Sequence, residues 1–427
     1  MKRRNFVGLT AAAAASGALF GACGKVGFSR NSRALVATAE KRKAYLDNLL
    51  RKLCIEIGPH PVFDADKYGK AVDVVKAEMD KALPFVSLDE CSFKGWKLLS
   101  PATLTVGGKP LEVRACHGSP STPGSGVSGA VKRVEFKNPD KVLYAVADPA
   151  TGEAKAYIVT NQYAPAIPLP IYSNPAEGPI NVGHATFDKQ GKWPLFCVGS
   201  VDVPVLEAAA KARTTAECSV RTAYVPGMHA NSVVGTLPGE NKDEVLILAH
   251  LDTVYGSPGA NDNTASMIVM LMLAHAFSGT IPVKTVTFMA TAGEEYGKLG
   301  AQHFLEQRQG TDTLKIIKSC IEFDSLTWGN NLQLYSTDER LLRAADEANT
   351  AAKIDGTPKI FNEFSGGDCK PFYDANVPVL YVNSRGDKYK PTLNVYHTPD
   401  DTPAHVAPEL VENSFLVFRQ MLGQMIA

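Results

Sequence analysis

Acidic residues and histidines recur in short, closely spaced groups along the C-terminal half of the chain. Carboxylates and imidazoles transfer protons as general acids and bases, and they are also common ligands of metal ions. The groups could therefore bind a divalent metal or activate water. They comprise His250 and Asp252 in AHLDTV, Asp262 in GANDNTAS, Glu294 and Glu295 in ATAGEEYG, Asp324 in IEFDSL, and Tyr396 and His397 in NVYHTPDDT.

Apolar, strand-like runs precede three of these groups and helical patterns separate the runs. Alternating strands and helices predict an α/β domain with a mixed, mostly parallel sheet flanked by helices. Ligands of such sheets bind outside the carboxyl ends of the strands, so we expect the groups to share one edge. The predicted strands are Glu244–His250, Thr285–Thr291, Ile316–Phe323 and Val377–Asn383, and the helices are Thr264–Phe277, Leu299–Gln309, Glu339–Ala352 and Pro408–Ile426.

Several buried carboxylates at one sheet edge would repel one another unless a positive charge neutralised them. A divalent metal supplies that charge, and histidine nitrogen combined with carboxylate oxygen suits zinc. Five ligands exceed what one tetrahedral zinc with its water needs, so a shared aspartate between two ions is expected. One glutamate then remains beside the ligands as a general base. Each motif taken alone is also common as an ordinary polar residue or an exposed turn. Their joint placement at strand ends favours a metal site.

The motifs resemble, in order and spacing, the family of co-catalytic zinc exopeptidases that contains bacterial double-zinc aminopeptidases and glutamate carboxypeptidases. The family pattern of H-x-D, G-A-N-D-N, G-E-E-x-G-x-x-G, an aspartate after a strand and Y-H-T-x-x-D-T is met within Asn231–Val406. The resemblance implies a zinc-exopeptidase fold, two Zn²⁺ ions as cofactors, a peptide substrate and hydrolysis by an activated water. Among the exopeptidases, an aminopeptidase is the preferred interpretation.

The resemblance also implies the ligand assignment. His250 and Asp324 resemble the ligands of one zinc, and Glu295 and His397 resemble the ligands of the other. Asp262 resembles the aspartate that bridges both ions. The peptide bond between this aspartate and Asn263 is expected to be cis, as in the family.

Three further roles follow from the resemblance. Glu294 resembles the catalytic base, and Asp252 resembles the carboxylate that orients a ligand imidazole. Tyr396 is similar to a tyrosine that holds the tetrahedral oxyanion in some members, with a packed aromatic as the alternative. Cys369, in GGDCKPFYD, stands where the S-D-H-x-P-F segment of the family has histidine. That segment is not a metal ligand, so the departure bears on specificity rather than on activity.

Other functions stay open at this stage. A metallo-hydrolase of the neighbouring deacylase and carboxypeptidase family also uses H-x-D-T-V and E-E, although a longer segment usually separates its H-x-D from the next aspartate. A single-zinc glutaminyl cyclase shares the fold, and a non-catalytic binding ectodomain would be marked by lost ligands. The sequence predicts neither amino- versus carboxy-terminal specificity, nor side-chain preference, nor oligomeric state.

The length of 427 residues indicates more than one domain. Residues 24–99 are predicted to be a linker and the N-terminal helical part of the catalytic domain, with helices at Ala39–Leu53 and Lys67–Leu83. Residues 100–226 differ in composition, with short β-like runs between Gly, Pro and Ser residues. We interpret them as an inserted β-rich domain that resembles a protease-associated domain. Residues 227–427 form the predicted zinc peptidase domain.

Residues 1–23 are predicted to be an export signal. Arg3 and Arg4 precede a weakly apolar, Ala-rich stretch and resemble a twin-arginine motif. The run that ends at Cys23 resembles a lipoprotein cleavage box, with Phe20 in place of the usual aliphatic residue. We therefore expect an exported protein of the periplasm or cell envelope, in contact with a membrane only through a lipid on Cys23.

Composition excludes two classes of protein. Lys plus Arg and Asp plus Glu both number 44, so the basic excess typical of a nucleic-acid binder is missing. No stretch of 18 or more strongly apolar residues occurs in the body of the chain, which excludes a polytopic membrane protein. The eight cysteines form no CxxC pair, and we expect between zero and two disulfides.

Overall fold

The computed structural model describes residues 32–135, 141–161, 193–329, 331–354, 357–364, 366–384 and 395–427. The predicted export signal lies outside these residues. Within them, strands and helices alternate along most of the C-terminal half. The strands are β1 Phe85–Val106, β2 Lys109–Pro110, β3 Arg114–Ala115, β4 Val127–Val134, β5 Lys141–Ala147, β6 Ala154–Asn161, β7 Leu195–Cys197, β8 Thr215–Leu237, β9 Asn241–His250, β10 Lys284–Thr291, β11 Ile317–Phe323, β12 Gln333–Tyr335, β13 Lys359–Phe361 and β14 Val379–Asn383.

Helices cover both faces of the sheet. One π-helical segment, Arg51–Ile57, one irregular turn, Ala260–Thr264, and three single 3₁₀ turns complete the described elements. The 3₁₀ turns are Arg33–Val36, Ser200–Asp202 and Pro403–His405. The α-helices are α1 Ala39–Leu50, α2 Ala65–Ala82, α3 Val203–Ala212, α4 Ala265–Ala276, α5 Leu299–Arg308, α6 Asp312–Lys315, α7 Glu339–Ala352, α8 Lys370–Asp374 and α9 Pro408–Met425.

All described strands belong to one sheet, in which the order β13-β12-β14-β11-β9-β10-β8-β4-β5-β6-β7-β3 forms the main path. The four strands β14, β11, β9 and β10 run parallel to one another. Their carboxyl ends therefore meet at one edge, which is where the predicted site residues follow them in the sequence. The predicted α/β fold is confirmed.

The central strand β9 is buried on both faces, which explains its nearly continuous apolar sequence. Val245 and Ile247 face the core on one side, while Leu246 and Leu248 face the core on the other. Helix α4 packs over the first of these faces and is itself buried along its whole length. This packing holds the end of β9 and the start of α4, the two segments that carry His250 and Asp262.

The strands β1 and β8 form a long antiparallel ribbon that links the two parts of the sheet. They pair from Phe85 with Thr236 to Val106 with Ala216. The register of β1 shifts at three places between Phe93 and Thr103. Strands β4 to β7 and β3, together with α3, build the β-rich module beyond this ribbon. The predicted boundaries at residues 100 and 226 both fall inside ribbon strands, and the likeness to a protease-associated domain stays a prediction.

Among the described residues, no helix combines the length and the apolar composition that crossing a bilayer requires.

Candidate metal centre

The end of strand β9 places the first predicted ligand. His250 is the last residue of β9 and is 2% exposed, and the fully buried Asp252 follows it in the chain. The imidazole Nδ1 lies 3.0 Å from the backbone oxygen of Asp252 and 3.7 Å from its Oδ1. These contacts leave Nε2 to face the interior of the site, 3.2 Å from Oδ1 of Asp262. The backbone oxygen of Asp252 thus orients the imidazole, and the orienting role of its carboxylate stays a prediction.

Asp262 lies in the tight segment between β9 and α4. Gly259 begins this segment with φ 63°, and a Cβ there would lie 2.6 Å from the Asp262 backbone oxygen, so the sharp turn requires glycine. The peptide bond between Asp262 and Asn263 is cis, as the family resemblance implied. Asp401 holds the segment from the opposite side, because its carboxylate accepts hydrogen bonds from the Asn261 and Asp262 amides at 2.9 and 3.1 Å.

The loop after strand β10 brings the glutamate pair to the same edge. Thr291, the last residue of β10, pairs with His250 in the parallel register, so the following loop continues beside the end of β9. Glu294 and Glu295 are 5% and 3% exposed. The backbone amide of Glu294 donates to Asp252 Oδ1 at 3.0 Å. The side-chain Oε1 of Glu294 lies 3.3 Å from the Lys298 ammonium. The two glutamates are therefore held by different partners.

His397 reaches the site from the loop before helix α9. Its Nε2 lies 3.1 Å from Asp262 Oδ2 and 3.2 Å from Glu295 Oε1, and its side chain is 20% exposed. The Tyr396 ring stacks on the His397 ring at 3.8 Å and contacts Trp328 edge-on at 6.0 Å. The loop thus brings a second imidazole to Asp262, and the oxyanion role of Tyr396 stays a prediction.

Asp324 follows strand β11, the neighbour of β9. The Asn263 side chain donates to the Phe323 carbonyl at 2.8 Å and accepts from the Ser325 amide at 3.0 Å, so it clasps the backbone on both sides of Asp324. The Asp324 carboxylate accepts hydrogen bonds from the Ser325 and Tyr381 hydroxyls. The residue that follows Asp262 in the chain thereby ties the Asp324 backbone to the Asp262 segment.

Burial and charge act against each other within this cluster. Burial alone would lower the pKa of His397, but the charges of Glu295 and Asp262 outweigh it and raise that pKa to about 10. The pKa of His250 is likewise raised well above its usual value, because the contact with Asp262 and the nearby carboxylates overcome burial. Burial raises the pKa of Asp252 well above its usual range. Without a metal, the imidazoles therefore retain protons that balance the acidic residues.

The arrangement fits a divalent metal ion. The ligand atoms of His250, Asp262 and Glu295 all lie within 4.8 Å of one another. Asp262 Oδ2, Glu295 Oε1 and His397 Nε2 are buried and converge, yet none of the three makes a hydrogen bond of ordinary geometry with the described residues. Buried polar atoms in native proteins normally have well-aligned partners, and a cation among these three atoms would supply one to each. The mixture of imidazole and carboxylate donors suits zinc.

Two residues that hold the site were not predicted. Asp401 anchors the Asp262 segment, and Asn263 connects that segment to β11. Asp401 is the aspartate of the quoted Y-H-T-x-x-D-T motif, so its position was visible in the sequence while its contact with Asn261 was not. Asn263 directly follows Asp262, the residue predicted to bridge two ions. Its hydrogen-bond partners lie about sixty residues away in the chain, so the sequence did not indicate them.

Comparison with known proteins supports the family resemblance. Residues 232–422 match the model of Peptidase family M28. "Aminopeptidase YwaD" of Bacillus subtilis is 24% identical over 208 residues, which cover 46% of this chain and 45% of that protein. The chain spans only about half the length of this protein and of the next relative that it matches. The match to the family model agrees with the predicted peptidase family over residues 232–422.

Solved structures support the fold over nearly the whole described chain. A zinc aminopeptidase from Bacillus subtilis superposes with a TM-score of 0.68 at 18% identity, covering 90% of this chain and 95% of that one. A peptidase M28 precursor from Shewanella amazonensis gives a TM-score of 0.72 at 19% identity, covering 92% and 96%. At these identities the likeness establishes the fold alone.

We predict that Asp401→Asn destabilises the Asp262 segment and lowers metal content. Asparagine offers one acceptor oxygen where the carboxylate offers two, so an amide of the segment loses its partner at a cost of about 1–3 kcal/mol. Denaturant unfolding measures the loss of stability, and elemental analysis measures bound metal. Asp400→Asn is the matched control, because Asp400 is the exposed neighbour. Equal metal content in both variants would show that Asp401 does not position the site.

Proposed function

We propose that this chain, whose residues 232–422 match a peptidase family, is an exported zinc-dependent exopeptidase that removes amino-terminal residues from peptides. The observation that carries the proposal is the position of Asp262, whose carboxylate oxygens lie 3.2 Å from His250 and 3.1 Å from His397. An aspartate that faces two imidazoles through different oxygens can serve two metal ions. Two zinc ions are therefore part of the proposal.

The ligand assignment follows the family resemblance, and the contacts of Asp262 with His250 and His397 support it. One zinc would be held by His250 and Asp324, the other by Glu295 and His397, with Asp262 shared. Bound zinc supplies Lewis acidity, which polarises a carbonyl and makes water a better nucleophile near neutral pH.

The remaining residues of the site handle protons and orientation. Glu294 lies beside the ligand Glu295 but is held by Lys298 and by Asp252, so its carboxylate can accept the proton of the attacking water. The same carboxylate then returns the proton to the leaving amine. Asp252 keeps the His250 ring in place during the reaction, and Tyr396 is proposed to donate to the oxyanion.

A substrate panel tests amino-terminal specificity. The purified full chain is assayed with amino-acid p-nitroanilides and with their N-acetylated counterparts, and each assay is repeated after treatment with a chelator. An aminopeptidase releases p-nitroaniline only from substrates with a free amine and loses activity when metal is removed. Acidic dipeptides blocked at the amino end serve as carboxypeptidase substrates. Hydrolysis of these alone, or cyclisation of amino-terminal glutamine, would replace the proposal with one of the alternatives.

We predict that substitutions in the glutamate pair affect different quantities, kcat for Glu294 and zinc occupancy for Glu295. Glu294→Gln retains size and hydrogen bonding but cannot accept a proton, so kcat should fall by roughly 10²–10⁴-fold with metal content near that of the wild type. Glu295→Gln should instead lower zinc occupancy, because a carboxylate ligand is lost. Steady-state kinetics and elemental analysis are performed on both variants. The reverse pattern would exchange the roles of base and ligand.

We also propose that the chain is exported through its twin-arginine signal and anchored by a lipid on Cys23. In the natural host, Arg3→Lys combined with Arg4→Lys should retain the protein in the cytoplasm, as judged by fractionation. Cys23→Ala should release the exported form from the membrane fraction. Unchanged export in the arginine double variant would remove the twin-arginine interpretation, and a wild-type protein that is already free of membranes would remove the anchor.

A further inference from the structure

Two cysteines of the β-rich module lie diagonally across from each other on paired strands, Cys197 opposite Arg114 and Cys116 beside Leu195. Cys197 is the last residue of β7, and Cys116 directly follows β3, which pairs antiparallel with β7. The Cys116 amide donates to the Leu195 carbonyl at 2.9 Å, so the pairing continues through Cys116. Both side chains are buried, with residue exposures of 1% and 0%. The backbone therefore holds the two thiols together in the interior of the module.

The two sulfur atoms are only 2.7 Å apart. Nonbonded heavy atoms, even the smaller carbons, keep about 3.5–4.0 Å between them. Two thiolates on one tetrahedral zinc, each about 2.3 Å from the metal, would stand about 3.8 Å apart. The separation is shorter than independent thiols or a shared metal would allow, and it exceeds the roughly 2.05 Å of an S–S bond by less than about 1 Å. We propose that Cys116 and Cys197 form a disulfide bond in the mature protein.

The chemistry requires an oxidant, which we take to be an external disulfide such as oxidised glutathione or a disulfide-carrying oxidoreductase. The thiolate of one cysteine attacks the external disulfide and forms a mixed disulfide, releasing one thiol of the oxidant. The thiolate of the second cysteine then attacks the bonded sulfur of the first and releases the other thiol. The two cysteines lose two electrons and two protons, and the external disulfide is reduced to two thiols.

The cross-link would stabilise a short pairing at the end of the sheet. Strands β3 and β7 have two and three residues and lie at the end of the strand order. The cysteines are 81 positions apart, so the bond closes a large loop that contains β4, β5 and β6. Restricting such a loop removes much conformational freedom from the unfolded chain. Because both sulfurs are buried, the bond would form during folding and afterwards be shielded from reductants.

The bond also lies beside the turn that connects the module to the metal centre. The turn begins at Cys116, where the Ser119 amide donates to the Cys116 carbonyl at 3.1 Å. It places His117 against the Tyr296 ring, 4.6 Å between centroids, and Tyr296 is the neighbour of Glu295 in the chain. The disulfide would therefore fasten the turn that contacts the loop of the glutamate pair. The inference does not rest on the proposed hydrolase activity.

Peptide mapping tests the bond directly. The full chain is folded in a mixture of reduced and oxidised glutathione, alkylated under denaturing conditions, digested with trypsin and analysed without reduction. We expect peptide 115–132 joined to peptide 193–211, a species that disappears after reduction. Peptide 214–221, with Cys218 of the same module, should be alkylated and serves as the internal control. Alkylation of both Cys116 and Cys197, or a link from either to Cys218, would overturn the proposal.

Thermal unfolding provides a second, independent readout. Wild-type protein that is reduced while unfolded and refolded with the reductant should have a Tm lower by roughly 5–10 °C than the oxidised protein. The double variant Cys116→Ala with Cys197→Ala should show the lower Tm in both conditions, whereas Cys218→Ala should keep the response to the reductant. A wild-type Tm that is the same with and without reductant would contradict the cross-link, whether or not the double variant folds.

Discussion

The carboxylate of Asp262 lies between the imidazoles of His250 and His397, and the rest of the site depends on this contact. Each oxygen of the carboxylate faces a different ring, at 3.2 and 3.1 Å. The surroundings contain further buried carboxylates, so negative charge exceeds what the two rings can neutralise by hydrogen bonding. In a medium of low polarity such a cluster persists only with added positive charge, supplied by protons on the rings or by metal ions.

The fold meets this requirement by bringing four chain segments to one edge. The parallel strands β9, β10 and β11 end side by side, and the loop before α9 closes the site from outside. Asp401 and Asn263 then connect these segments, one by accepting backbone amides and the other by clasping the end of β11. The side chains of both connectors are engaged in hydrogen bonds with neighbouring segments, so they add rigidity to the site.

The sequence predicted the catalytic half of the fold more closely than the module. Helix α7 has the predicted bounds, and β9 to β11 differ from the predictions by at most three residues, because strands buried on both faces have unbroken apolar sequences. The ribbon strands β1 and β8 were missed as single elements of 22 and 23 residues. Much of their surface is exposed, and their register shifts interrupt the alternation that marks a strand. The family resemblance named the candidate residues of the metal centre, whereas the contacts of Asp401 with Asn261 and Asp262 could not be predicted from any local pattern.

The most direct test of the central claim is the anomalous diffraction of zinc-loaded crystals, measured on both sides of the zinc absorption edge. We expect two anomalous peaks in contact with the Asp262 carboxylate, one beside His250 and Asp324 and the other beside Glu295 and His397. A single peak would contradict the sharing of Asp262 between two ions. Peaks remote from Asp262 would contradict the assignment of the metal centre itself.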